Sequence, residues 1–200
     1  MIIEGKKIYA DDIAKIHFQT LSDDFLPSLG INFLKSFYQG IIGQPGVYIF
    51  TEVQKNNVYG FVVGVKNSKK FFTLAIRSNP LKLSLFLLLA VIKNPFLIRN
   101  IFETILYPSK TKKPLGELVV IAVARKYQGK GIGKKLINSL EKKFVEKGIT
   151  KYKLTVYSDK SAINFYEKLK FKLLSSFKLY GRMWFVYEKK IRFKDKQKSS

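Results

Sequence analysis

The sequence predicts one α/β domain, and three observations carry that prediction. Two β-branched and aromatic runs, 47–53 and 58–65, are separated by Gln54-Lys55-Asn56-Asn57 and read as an antiparallel hairpin. A continuous apolar run ending at Val123 passes through a glycine-rich loop into an amphipathic helix over 131–147. Two further apolar runs, 171–179 and 183–191, flank Tyr180-Gly181-Arg182 as a second hairpin. With 200 residues and 46% hydrophobic content the chain can bury one sizeable core. The expected domain covers residues 1–191, followed by a basic, flexible tail over 192–200.

The elements follow in order. Asp11 and Asp12 open a first helix over 11–21, where acids favour a helix N-terminus, and Ile13, Ile16 and Thr20 keep helical spacing. Phe33, Leu34, Phe37, Tyr38 and Ile41 form the stripe of a second helix, from about Leu29 to Ile42. Between about 80 and 113 the strand pattern is interrupted by a two-helix insertion, Leu81 to Ile92 and Phe96 to Tyr107, opened by Pro80 and Pro95. The first of these segments is apolar nearly all round, yet twelve helical residues rise only about 18 Å against a hydrocarbon core of about 30 Å. A membrane span is therefore not expected. Glu117 to Val123 reads as a central strand buried on both faces. Gly131 to Lys147 is a helix whose inner stripe is Ile132, Leu136, Ile137, Leu140 and Phe144. Tyr152, Leu154 and Val156 alternate on the next strand, and Ala162, Phe165, Tyr166 and Leu169 return to helical spacing.

Composition excludes several chemistries. The absence of cysteine removes disulfides, thiolate metal sites and cysteine nucleophiles, and His17 alone cannot supply a histidine-rich metal site. The N-terminus lacks a basic start followed by an apolar core, so a cytoplasmic location is the expectation. The 37 Lys+Arg against 14 Asp+Glu give a net charge of +23, attractive to any polyanion. Lysines occur in every segment, so a designed patch and plain compositional drift both remain open, and no specific nucleic-acid partner is predicted.

The segment Gln128-Gly129-Lys130-Gly131-Ile132-Gly133 lies between the buried strand and the helix. Backbone without β-carbons admits an anion to several N–H groups, and the helix N-terminus adds about half a positive charge. The loop reads as a phosphate cradle, surrounded by Lys126, Lys130, Lys134 and Lys135. Its G-x-G-x-G order differs from the dinucleotide fingerprint G-x-G-x-x-G, and Glu141 and Glu146 fall inside the helix rather than at a ribose-binding position. The four-residue gap and terminal Lys-Ser/Thr of a Walker loop are missing too.

Val123 to Leu136 resembles the acetyl-CoA-binding motif of the GNAT superfamily of N-acetyltransferases, Q/R-x-x-G-x-G/A, met here by Gln128, Gly131 and Gly133. Downstream, Ala162-Ile163-Asn164-Phe165-Tyr166-Glu167-Lys168-Leu169-Lys170-Phe171 is similar to the family's A-x-x-x-F/L-Y-E-K-L-G-F segment. The sequence departs from the family at Asp159, where Asn is common, and at Lys170, where Gly is customary. The resemblance implies the GNAT fold, a mixed and largely antiparallel sheet flanked by helices, and acetyl-CoA as acetyl donor with no metal. It implies a cofactor strand splayed from its neighbour, so that Ile121, Ala122 and Val123 meet the pantetheine arm. Gln128, Gly129, Lys130, Gly131, Ile132, Gly133 and Lys134 would hold the pyrophosphate, and Asn164 would approach the cofactor from the next helix.

The resemblance also implies the catalytic groups. The acceptor amine must lose a proton and the departing thiolate must gain one. Glu117, at the start of the cofactor strand, is the expected base, against the alternative of a solvated strand end. Tyr166 matches the family's acid, against the alternative of a core tyrosine. His17, Tyr38 and Asp24 are weaker candidates for the acceptor side. The expected acceptor is a small primary amine such as an amino sugar or amino acid; a protein amine, or a non-catalytic basic module binding nucleic acid or an anionic membrane, are the alternatives. The insertion is expected to cap the acceptor side. Its excess apolar surface requires a further partner: its second helix, another subunit in a homodimer, an apolar acceptor or a membrane surface.

Overall fold

The computed structural model describes residues 1–106, 116–158 and 161–191. The end of the insertion (107–113), Asp159 and the tail (192–200) lie outside the described residues. Among the described residues, seven strands form one sheet in the order β1-β2-β3-β4-β5-β7-β6. They are β1 (Ile2–Glu4), β2 (Val47–Gln54), β3 (Asn57–Val65), β4 (Glu117–Val123), β5 (Lys151–Tyr157), β6 (Lys172–Leu179) and β7 (Arg182–Lys190). Every pairing is antiparallel except β4 with β5. Helices α1 (Ala10–Thr20), α2 (Phe25–Ser28), α3 (Ile31–Ile41), α4 (Ser68–Ser78), α5 (Pro80–Lys93), α6 (Leu97–Leu106), α7 (Ile132–Glu146) and α8 (Ala162–Lys168) flank the sheet.

Both predicted hairpins, the strand at 117–123 and the amphipathic helix after the glycine loop are present. β1 was not expected: three residues are too few for a period, and the strand exists because Ile2 and Ile3 register with Glu52 and Thr51 while the N-terminal amine sits 2.8 Å from the Glu52 carboxylate. The two helices expected in the insertion are α5 and α6, and a further helix that was not expected, α4, precedes them. Its first turn holds no acid to favour the helix dipole, but Phe71 and Ala75 are buried and the Phe71 ring meets Phe37 of α3 edge-on at 5.5 Å. Tertiary burial overrides the poor N-terminus.

Two apolar cores lie on the sheet. α1, α3, α4 and α5 bury Ile13, Leu34, Phe37, Ile41, Phe71 and Leu83 with Phe61 and Val63 of β3. α7 and α8 bury Leu136, Leu140, Phe144 and Tyr166 with Leu118, Tyr152 and Leu154. Lys170, which replaces the family's glycine, takes the left-handed conformation (φ 68°) that a glycine adopts past a helix end, and its N–H donates to the Glu167 carbonyl at 2.9 Å. The turn is kept at a conformational cost of about 1–2 kcal/mol.

His17 belongs to the first core. It is 2% exposed, its Nδ1 lies 2.7 Å from the Tyr38 hydroxyl, and burial lowers its pKa to about 3. Tyr38 is fully buried, and burial raises its pKa well above the usual value. Neither side chain lines an acceptor pocket. Since the unfolded imidazole takes a proton near pH 6.5 and the folded one only near 3, stability contributed by neutral His17 is full above about 6.5 and declines as pH falls from there. The expected slope is about 1.4 kcal/mol per pH unit from this residue alone. Urea denaturation of wild type and His17→Gln at pH 7 and 5 checks it, the variant showing the shallower loss.

Candidate active site

β4 and β5 register only through Glu117 with Lys153 and Leu118 with Leu154. Beyond this vertex the strands part. The cause lies in β4, whose register with β3 shifts between Val63 with Val120 and Gly64 with Leu118, leaving Val119 as an extra residue. Such a bulge bends its strand and increases its twist. Val119, Val120 and Ile121 are accordingly half-buried, not hidden on both faces as a continuous apolar run predicts. The Ala124 N–H donates to the Tyr59 carbonyl at 2.9 Å. Alternation along the strand turns the main-chain groups of Ala122 the same way, toward β3, and those of Ile121 and Val123 into the gap. Ile121 and Val123 thus present main-chain groups to the gap.

The glycine loop stands at the open end of this gap. Gly129 and Gly131 adopt φ of 75° and 76°, and an added Cβ at either would meet nothing within 4 Å. The first-turn N–H groups of Ile132, Gly133 and Lys134 have no carbonyl four residues back within α7 and point out of its N-terminus. Ile132 anchors that turn in the core, while Lys130 and Lys134 are exposed around it. Gln128 closes the loop by donating from Nε2 to the Val123 carbonyl at 2.9 Å, so its side chain fixes the cradle to β4. Gly133 has a packing reason of its own: a Cβ there would lie 3.1 Å from Cζ of Phe165 on α8. A bulky residue at 133 would disturb helix packing, which makes Gly131 the cleaner probe of the loop.

Tyr166 on α8 is 7% exposed, packed against Phe165 and Phe171 at ring distances of 5.4 and 5.7 Å. Burial, then the Asp24 carboxylate, raise its pKa well above the ordinary phenol value. The phenol is protonated at any physiological pH, the state an acid needs. Asn164, two residues earlier, is exposed on the same helix. Glu117 is not a solvated strand end. It is 4% exposed, and its Oε2 lies 3.2 Å from Nζ of Lys153, itself 2% exposed. The cross-strand register brings the two together at the vertex.

Asp24, between α1 and α2, also raises the pKa of Tyr157 and Tyr180, in both after burial as the larger cause; Tyr180 is pushed up to about 12. These tyrosines belong to an aromatic wall: Tyr157 and Trp184 rings are 3.9 Å apart, Tyr180 lies 6.1 Å from Trp184 and 5.4 Å from Phe25, and the Arg182 guanidinium sits 4.2 Å over Tyr157. α6 holds the wall in place. The hydroxyls of Thr104 and Tyr180 are 2.6 Å apart, and the Tyr180 N–H donates to the Glu103 carboxylate. Lys153 and this wall escape sequence reasoning because their partners come from β4, α2 and α6, far away in the chain. Among the described residues no group of His, Cys, Asp or Glu is placed to hold a metal.

The profile of the acetyltransferase (GNAT) family matches residues 14–171. A curated relative, acetyltransferase SG1711 of Sodalis glossinidius, is 38% identical over 68 residues; the match spans 34% of this chain and 48% of that protein, about half its length. An N-acetyltransferase from Staphylococcus aureus superposes with a TM-score of 0.64 at 18% identity, covering 94% of this chain and all of that one. The PaiA N-acetyltransferase of Thermoplasma acidophilum, solved in complex with coenzyme A, gives 0.56 at 15% identity over 95% of this chain and 98% of that one. With the splayed strands, the glycine cradle and a profile match over most of its length, the chain belongs to the acetyltransferase (GNAT) family.

Proposed function

We propose that the protein transfers an acetyl group from acetyl-CoA to a small primary amine by direct attack. The observation that carries this reading is the parting of β4 and β5 beyond Leu118, with the glycine loop following β4; the open space at Gly129 and Gly131 and the protonated phenol of Tyr166 on α8 support it. In the reaction the amine nitrogen bonds to the carbonyl carbon as the carbon–sulfur bond breaks. Tyr166 supplies the proton that the departing thiolate takes up. The proton lost by the amine goes to Glu117 through a relay, because an ammonium already stands 3.2 Å from that carboxylate. Asp24 gives the acceptor side a negative charge to receive an ammonium. The bonds from Thr104 and Glu103 of α6 to Tyr180 brace the aromatic wall, and this support of a fixed wall favours a small acceptor.

Calorimetry with acetyl-CoA, followed by a panel of small amines and peptides monitored for free thiol, tests the reading. Wild type should bind acetyl-CoA and release thiol only with small amines. Gly131→Val should weaken acetyl-CoA binding about tenfold or more, since a β-branched residue at φ 76° must distort the cradle. Wild-type affinity in a folded Gly131→Val protein would remove the cradle from the account, and thiol release with peptides alone would reassign the acceptor.

A further inference from the structure

We infer that α5 and the α5–α6 turn form a docking face for the surface of a bilayer carrying anionic headgroups. α5 buries Leu83 and Ala90 against the body of the protein, which leaves its opposite side to solvent. There Leu81, Leu85, Leu88 and Ile92 stand at 86, 53, 56 and 66% exposure, spaced four, three and four residues apart as one continuous stripe. Phe96 in the turn extends the stripe at 82% exposure, and Phe102 of α6 adds a ring at 63%. Six large apolar side chains left in water on one helix, its following turn and α6 are the kind of exposed apolar surface that marks a docking face.

Charge selects the occupant. Lys82 and Lys93 are exposed one residue beyond Leu81 and Ile92, about 100° round the helix, and Arg77 and Arg99 are exposed on the neighbouring helices. Glu103 is the one acid in the sequence between 68 and 106, and its carboxylate is taken by the Tyr180 N–H and the Arg99 side chain. A second copy docking through the same face would set these cations against their own counterparts, on molecules that each carry +23. An apolar acceptor needs a concavity, and the apolar cavity of about 130 Å³, lined by Phe25, Leu29, Phe33, Leu83 and Leu87, lies on the inner side of α5. An anionic bilayer satisfies both features, taking the apolar stripe at the acyl boundary and the lysines at the phosphates. α5 has 14 residues and rises about 21 Å, and no helix among the described residues is long and apolar enough to cross a membrane. It lies along the surface.

Cosedimentation of the full chain with vesicles of phosphatidylglycerol and phosphatidylcholine in equal parts, and of phosphatidylcholine alone, tests this. Wild type should partition strongly onto the anionic vesicles and weakly onto the neutral ones. The triple variant Leu85→Ser, Leu88→Ser, Phe96→Ser should lose roughly 100-fold in partitioning. Its thermal unfolding should be unchanged, because all three side chains are exposed. Lys142→Glu with Lys147→Glu, exposed on α7 and just past its end, should change binding by a few-fold at most, through net charge alone. Absence of wild-type binding, or a triple variant that binds as wild type does, would overturn the inference. So would a dimer in sedimentation equilibrium that the same three substitutions dissociate.

Discussion

Tyr166→Phe is expected to lower kcat by about 10²–10⁴-fold while leaving acetyl-CoA affinity close to wild type. The substitution removes one hydroxyl from a ring that Phe165 and Phe171 hold in place, so the helix and the cofactor gap should keep their shape. What is lost is a proton donor to the departing sulfur, an interaction made mainly in the transition state, and such a loss appears in kcat rather than in ground-state binding. The pH profile separates this role from packing. Burial and the Asp24 carboxylate hold the phenol protonated, so the wild-type rate should show no decline from Tyr166 titration up to about pH 10. Steady-state kinetics with calorimetric acetyl-CoA binding checks both points, and a variant with wild-type turnover would leave Tyr166 as a packing residue.

Lys153→Met should destabilise the fold by about 3–5 kcal/mol, the usual loss when one member of a buried ion pair is removed and its partner stays charged in a poorly solvated site. Glu117 and Lys153 are among the most buried charged residues in the protein, and they mark the point where β4 and β5 separate. The double variant Glu117→Leu, Lys153→Met should regain most of that stability, because two apolar side chains satisfy the vertex without a desolvation penalty. Urea denaturation measures both. The double variant also isolates the chemistry: bound acetyl-CoA with turnover lost identifies Glu117 as the proton acceptor, whereas retained turnover would make the pair purely structural.

Much of the architecture was legible in the residues. β4 was readable to the residue because a run of apolar side chains starts after one acid and ends before Ala124-Arg125-Lys126, and α7 because its stripe recurs every three to four positions from Ile132 to Phe144. The glycine loop was legible for the same reason: a strand, a glycine turn and a helix N-terminus in succession are built from consecutive residues, so the anion cradle proposed there is contained in a short stretch of sequence. α4 was not. Its first turn is unfavourable locally, and only burial of Phe71 against Phe37 makes it a helix.

The sequence by itself determined the family, the glycine loop that opens α7 and the side chains able to give or take a proton, since each is carried by local pattern and residue type. Tertiary structure alone decided what those side chains do. Glu117 became half of a buried ion pair when β4 met β5, His17 became a neutral core residue when α1 met α3, and Asp24 came to face Tyr166, Tyr157 and Tyr180 from a distant part of the chain. The physical reason is that burial and electrostatic partners depend on contacts between residues far apart in sequence, and protonation follows those contacts rather than the neighbours along the chain.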